Sequence, residues 1–141
     1  MDIDGRLLDE IRLDNGLVLF IYDQSRCVAG DRWRAQLLMH LPILIKESHF
    51  ENCEDPGEAY RSFRLAVGEE IHFRQERVRN FIDQQALPSL LEELKEECLR
   101  FSLVYLGKPN FAAKFVQKHY YEWQQKQASR AAHARRPARV D

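Results

Sequence analysis

Cysteine is scarce and scattered: Cys27, Cys53 and Cys98 are the only three in 141 residues, with no Cys-x-x-Cys spacing. An odd, dispersed set excludes a disulfide framework and a paired-thiolate zinc site, and fits free thiols in a reducing compartment. Long apolar runs are missing as well. None approaches the ~20 residues that span a bilayer. The acidic start, Met1-Asp2-Ile3-Asp4-Gly5, has neither the basic nor the apolar region of a secretory signal. The expectation is therefore a cytoplasmic protein without membrane contact. Glycine is sparse at six residues, and both Gly-x-x-x-x-Gly-Lys-Ser/Thr and Gly-x-Gly-x-x-Gly are absent, which removes the usual phosphate cradles. Gly-x-Ser-x-Gly is absent too, and none of the six serines sits on a glycine-framed elbow. No His-x-x-x-His occurs. His49 and Cys53 are four apart, and His40 and His72 come together only if a sheet pairs their segments. No catalytic residue, cofactor or metal is expected from these patterns.

What is present is packing. A chain of this length suits one domain, and 45% hydrophobic with 30% charged residues is ordinary globular composition. From Trp33 to Ile45 every odd position is apolar (Trp33, Ala35, Leu37, Met39, Leu41, Ile43, Ile45), the period of a strand with one wall against a core. Asn15-Gly16 between Ile11–Asp14 and Leu17–Tyr22 predicts a hairpin with Leu13 facing Val18 and Ile11 facing Phe20. Residues 24–32 read as a loop, and 47–54 as a connection. Asp55-Pro56-Gly57-Glu58 is a helix start and Gly68 a stop, so a helix is predicted over 56–67. Glu70–Phe81 reads as a strand whose alternation slips near Gln75 or Glu76. Leu87, Leu91, Leu94, Cys98, Phe101 and Tyr105 recur at helical steps, and Phe111, Phe115, His119 and Trp123 form a second stripe after Gly107-Lys108-Pro109-Asn110. The expected fold class is α+β: an antiparallel sheet of about four strands, one middle helix, and a C-terminal helix hairpin packed on one face. The domain is expected over 5–127, with 128–141 a basic, structureless extension.

The net charge of −1 conceals an asymmetry, because residues 126–141 carry +4 and the preceding 125 carry −5. Arg130, Arg135, Arg136 and Arg139 are candidates for phosphate contacts on nucleic acid, although the acidic body would repel a polyanion. The exposed carboxylates of 92–97 read as a solvated helix face. His119 lies in an aromatic stripe and reads as a core histidine, and Cys27 between Arg26 and Val28 reads as a loop thiol.

The densest polar cluster is Asp23-Gln24-Ser25-Arg26-Cys27-Val28-Ala29-Gly30-Asp31-Arg32-Trp33-Arg34. Arg26, Arg32 and Arg34 are candidate grips for an anionic group, with Trp33 a stacking surface and Asp31 beside them. The competing reading is a self-contained turn, with Asp23 and Asp31 pairing those arginines and Ser25 closing an Asx turn. Asp23-x-Ser25 followed by Gly30 distantly resembles the Asp/Asn-x-Ser-x-x-Gly element of PilZ domains. Val28 stands at the glycine position, and the preceding Arg-x-x-x-Arg is missing, so cyclic-dinucleotide binding is not expected. The run Asn15-Gly16-Leu17 followed by Asp23-x-Ser25-Arg26-x-x-Ala29-Gly30-Asp31-Arg32-Trp33 is similar to a family of small uncharacterised bacterial proteins over about 20 residues. That resemblance implies the hairpin and strand and brings no activity with it.

Three functional classes follow. The first is a non-catalytic interaction or regulatory module, with another protein or a second copy as partner. The second is a nucleic-acid accessory protein using the basic C-terminal extension. The third is a small anionic-ligand or enzymatic domain centred on 23–34.

Overall fold

The alternation beginning at Trp33 forms one long strand. A computed structural model describes residues 3–134. Its strands are β1 (Arg6–Arg12), β2 (Val18–Asp23), β3 (Arg26–Ala29), β4 (Arg32–Leu44) and β5 (Glu70–Asp83), and its helices are α1 (Pro56–Val67), α2 (Leu87–Leu106) and α3 (Phe111–Ala134). Ala35, Leu37, Met39, Leu41 and Ile43 on β4 are completely buried, as the period-2 pattern requires. The fold class is α+β, on an antiparallel sheet.

Counted as segments the sheet has five strands, but β3 prolongs β2 along the same edge of β4. Phe20 lies opposite His40 and Asp23 opposite Leu37, while Arg26 lies opposite Arg34 and Cys27 opposite Trp33, one unbroken register. Between them Gln24 N donates to Gln36 O at 2.8 Å. At Ser25 the ladder is carried by side chains instead. Ser25 N donates to Asp23 Oδ1 at 2.9 Å, and Ser25 Oγ accepts from Gln36 N at 3.0 Å. The segment expected to be a loop is thus a strand with a two-residue turn at Gly30-Asp31, where Gly30 takes a φ of 56°. The missed signal is that hydroxyl and carboxylate groups can replace backbone partners in a ladder.

The first hairpin also departs from expectation. Leu13 N donates to Leu17 O at 2.8 Å and Gly16 N to Leu13 O at 2.9 Å, giving a three-residue loop with φ positive at Gly16 alone. Ile11 therefore pairs with Leu19 and Glu10 with Phe20, one residue away from the predicted register. A slip of one exchanges faces. Leu13, Leu19 and Ile21 are buried, while Phe20 and Tyr22 lie on the opposite, half-buried face.

By the density of its internal packing the chain divides into two units. One comprises the residues up to Ile43 together with His72–Phe111; the other comprises Leu44–Ile71 and the described residues from Ala112 onward. The first, the sheet unit, holds the strands and α2. Asp9 meets Lys95 Nζ at 3.1 Å, which places α2 on the Ile21 side of the sheet, where Leu91, Leu94, Cys98 and Leu106 are buried. Tyr105, expected in that stripe, is 57% exposed, and Leu106 turns inward in its place. In β5 the alternation holds through Arg77 before slipping, and the irregular residue is Phe81, with a φ of 58°.

The second, the helical unit, holds the 3-10 turn Glu47–Phe50, α1 and nearly all of α3. α1 has the predicted bounds: Asp55 Oδ1 accepts from Glu58 N at 3.2 Å, Pro56 opens the helix and Gly68 closes it with a φ of 98°. α3 continues to Ala134, so residues 128–134 are helical where a structureless extension was expected. Alanine and arginine are strong helix formers, and Ser129-Arg130-Ala131-Ala132 prolongs the helix without burying anything. Arg135, Arg136 and Arg139 lie outside the described residues. Among the described residues no helix is long and apolar enough to cross a membrane.

Candidate functional site

On the sheet face turned away from α2, β2–β3 contributes Phe20, Tyr22, Gln24 and Arg26, and β4 contributes Arg34, Gln36, Leu38 and His40. β5 adds His72 and Arg74. Period 2 along each strand fixes this set, given the register above. Phe20 and Tyr22 stack with centroids 6.4 Å apart at 29°. Phe20 lies 6.3 Å from His40, and the His40 and His72 rings stack at 4.9 Å.

The two imidazoles share a hydrogen bond, His40 Nε2 to His72 Nδ1, of 2.8 Å. His40 is 7% exposed, and its Nδ1 is buried with no partner. A buried N–H without an acceptor costs more than an idle lone pair, so we assign the proton to Nε2 of His40, which then donates to His72. Burial first, then His72 and Arg74, push the His40 imidazole down to about 4 from its ordinary 6.5. At neutral pH it is an uncharged hydrogen-bonding ring, not a cation. His40 and His72, singled out above as able to meet across a sheet, do meet.

The 23–34 candidates are divided by the sheet. Arg26 and Arg34 stand directly opposite one another, and Arg32 follows on the same face of β4. Trp33 is opposite Cys27 on the other face, with its indole Nε1 buried and unpartnered, so it is no stacking surface for those arginines. Asp31 occupies the turn and approaches Arg32 at 3.8 Å, both side chains being more than half exposed. Asp23 pairs with Arg6 at 3.7 Å, not with an arginine of the cluster, and closes the Asx turn on Ser25. Among the described residues neither the Arg26 nor the Arg34 guanidinium has a hydrogen-bond or ion-pair partner. Directly opposed like charges oppose strand pairing, so this pair is a local cost to the hairpin.

Charge is unevenly spread over the sheet unit, although Lys95 and Arg77 also lie on the α2 side. Glu92, Glu93 and Glu96 are exposed on α2, on one side of the sheet. Arg26, Arg34 and Arg74 lie on the other, where Glu10 at the β1 edge and Glu76 on β5 are carboxylates of the same face, as Glu70 at the start of β5 is by parity. Phe20, Tyr22 and Arg74 were not among the sequence candidates. The signal for Phe20 and Tyr22 was their parity with His40 through the pairing of β2 with β4, and for Arg74 its parity with His72 on β5.

The thiols do not join this face. Cys98 is buried and its pKa is raised, chiefly by that burial, despite the nearby Arg77. Cys27 Sγ donates to Gly30 O at 3.2 Å within the turn. In the helical unit a concavity of about 410 Å³ is walled by Cys53, Glu54, Asp55, Glu58 and Tyr120. Its carboxylates already work locally: Asp55 caps α1, and Glu58 meets Arg61 at 3.3 Å. Among the described residues no group of three or more His, Cys, Asp or Glu side chains could hold a metal ion. Of the nucleic-acid candidates, Arg130 is exposed on α3. The chain matches no family model, no curated protein and no solved structure.

Proposed function

We propose that this chain is a non-catalytic binding module that takes an anionic partner on the sheet face bearing Arg26 and Arg34. The observation that carries the reading is their opposition in register with no carboxylate on either. Two unpaired guanidiniums held side by side on adjacent strands form a fork for bidentate anions, and the partner's charge relieves their mutual repulsion. The neighbouring groups suit holding more than reacting. His40 is buried, neutral and tied to His72, and Gln24 and Gln36 join side chain to side chain at 2.7 Å. The exposed or partly exposed thiols Cys27 and Cys53, with Cys98, are all free, which favours a reducing, cytoplasmic setting.

The test is binding of inorganic polyphosphate by the full chain and by an Arg26→Glu/Arg34→Glu variant. A control reverses as much charge elsewhere, Lys114→Glu with Lys118→Glu, both exposed on α3. The reading expects at least a tenfold loss for the sheet variant and less than about threefold for the control. Equal losses in the two would reduce the effect to net charge and remove the site.

A further inference from the structure

The arginine pair does not stand alone on its face, and its neighbours narrow the class of anion. Phe20 and Tyr22 lie in line with Arg26 along β2–β3, half-buried and stacked on each other, and neither belongs to the aliphatic core beneath α2. A simple phosphate or an acidic peptide needs cations only. A row of aromatic rings next to paired guanidiniums, on a sheet with its other face covered, is the combination that stacks bases while neutralising a backbone. Gln24 and Gln36, between rings and arginines, are tied to one another at 2.7 Å, and Gln24 Nε2 also donates to Asp4 O at 2.9 Å, so they brace the row. His40 adds a polar side chain that is more than nine-tenths buried on this face, with an unpartnered Nδ1.

Resting on the anionic-partner reading above, we infer that this sheet face binds single-stranded nucleic acid, with Phe20 and Tyr22 stacking bases and Arg26 and Arg34 gripping the backbone. A duplex hides the base faces that the rings would need, so single strands are preferred to double strands. The uneven spread of charge supports the choice of face. The acidic residues Glu92, Glu93 and Glu96 lie on the α2 side and repel a polyanion from there, while the arginine side is left open to it. Glu10, directly opposite Phe20, and Glu76 on β5 are carboxylates of this face, which places the backbone contacts toward Arg26 and Arg34.

The experiment is fluorescence anisotropy of a labelled oligothymidylate of about 15 nucleotides with the full chain, over about 50–200 mM salt. Tyr22→Ala is expected to weaken binding about five- to a hundredfold while leaving polyphosphate binding unchanged. Tyr22→Leu, which keeps the bulk on the sheet, is expected to weaken it similarly and guards against a variant that merely misfolds. Arg26→Glu/Arg34→Glu is expected to weaken both ligands and to flatten the salt dependence by about one to two in log–log slope. Unchanged oligonucleotide affinity in both Tyr22 variants overturns the base-stacking inference and leaves the anionic site standing. Polyglutamate binding without oligonucleotide binding does the same, in favour of an acidic protein partner. Unchanged binding of both ligands by the arginine variant overturns the anionic site itself. Loss of oligonucleotide binding on changing Arg130, Arg135, Arg136 and Arg139 to Gln in the full chain, with the sheet variants silent, overturns the inference in favour of the C-terminal arginines.

Discussion

In the sheet unit the largest fully buried side chains are aliphatic, among them Leu19, Ile21, Leu37, Met39, Leu41 and Leu94. In the helical unit the two largest are rings, Phe50 and Phe63, with Val116 also fully buried. Phe50 meets Tyr120 at 5.2 Å and 90°, Phe63 meets Tyr120 at 5.5 Å, and Trp123 lies 5.6 Å from Phe63. The difference follows from geometry. A pleated strand presents a side chain every second residue at even height, and branched or flexible aliphatics tile such a row. Short helical segments have fewer inward positions each, so every one must cover more area, and edge-to-face rings do that while gaining about 0.5–1.5 kcal/mol per pair beyond their area. A second consequence concerns function. Because the sheet unit packs its α2 side with aliphatics, the half-buried rings of Phe20 and Tyr22, opposite the buried His40 and Leu38 on the other face, lie outside that core.

That contrast is broken most directly at Phe63, which is 1% exposed and touches three other rings. Phe63→Ala is expected to cost about 3–5 kcal/mol by urea unfolding, and Leu37→Ala in the sheet unit about 2–4 kcal/mol. If Phe63→Leu, which keeps bulk but not the ring, were as stable as wild type, the ring geometry would contribute nothing beyond volume.

The next effect sharpens the comparison through polar groups. The sheet unit buries His40, which titrates at about 4 when folded against 6.5 when free. Between these values the unfolded chain binds a proton that the folded chain does not, so stability falls as pH drops from about 7 to 4 and levels off below. The expected loss is about 2–3 kcal/mol. Unfolding of His40→Gln at pH 7 and at pH 4.5 checks this. The variant should lose part of the wild-type acid sensitivity, and equal sensitivity would clear His40. His49 in the helical unit shifts the same way, through burial and then Lys46, so a residual slope should remain in the variant.

The elements of both units were largely legible, because burial imposes periods that survive in sequence. α1 came with both caps written out, from Asp55 to Gly68. The face was legible only in part. Arg26 and Arg34 were visible as a polar cluster, but their separation from Trp33 depends on strand parity through Ser25, where a side chain stands in for the backbone. Phe20 was given the wrong partner on β1, Ile11 in place of Glu10, because Asn15 does not take the positive φ that a two-residue turn needs. Its amide is drawn elsewhere, Nδ2 donating to Leu106 O at 2.8 Å and Lys108 O at 2.9 Å while Oδ1 accepts from Leu17 N at 3.1 Å. The turn's register is thus set by the end of α2, some 91 residues away, which no local pattern can report. Asn15→Ala is expected to cost about 1–2 kcal/mol. Asn15→Asp, equally at home in turns but unable to donate, should be no better; a neutral aspartate would mean that the long-range tie is idle.

The smallest effect separates the two parts of the 23–34 cluster. Arg32 meets Asp31 at 3.8 Å with both side chains largely in water, where an ion pair is worth a few tenths of a kcal/mol. Arg32→Ala should therefore change stability by less than about 0.5 kcal/mol and, lying beyond the opposed pair, reduce anion binding far less than Arg34→Ala does. Arg34→Ala behaves oppositely on the two readouts, since deleting one of two opposed guanidiniums relieves repulsion. Stability should hold or rise slightly while polyphosphate affinity falls. A residue kept at a cost to its own hairpin is one whose benefit lies outside the fold. If Arg34→Ala instead lost stability and left anion affinity intact, the arginine pair would be part of the hairpin's packing, through its half-buried stems, and the binding face would have to be sought elsewhere.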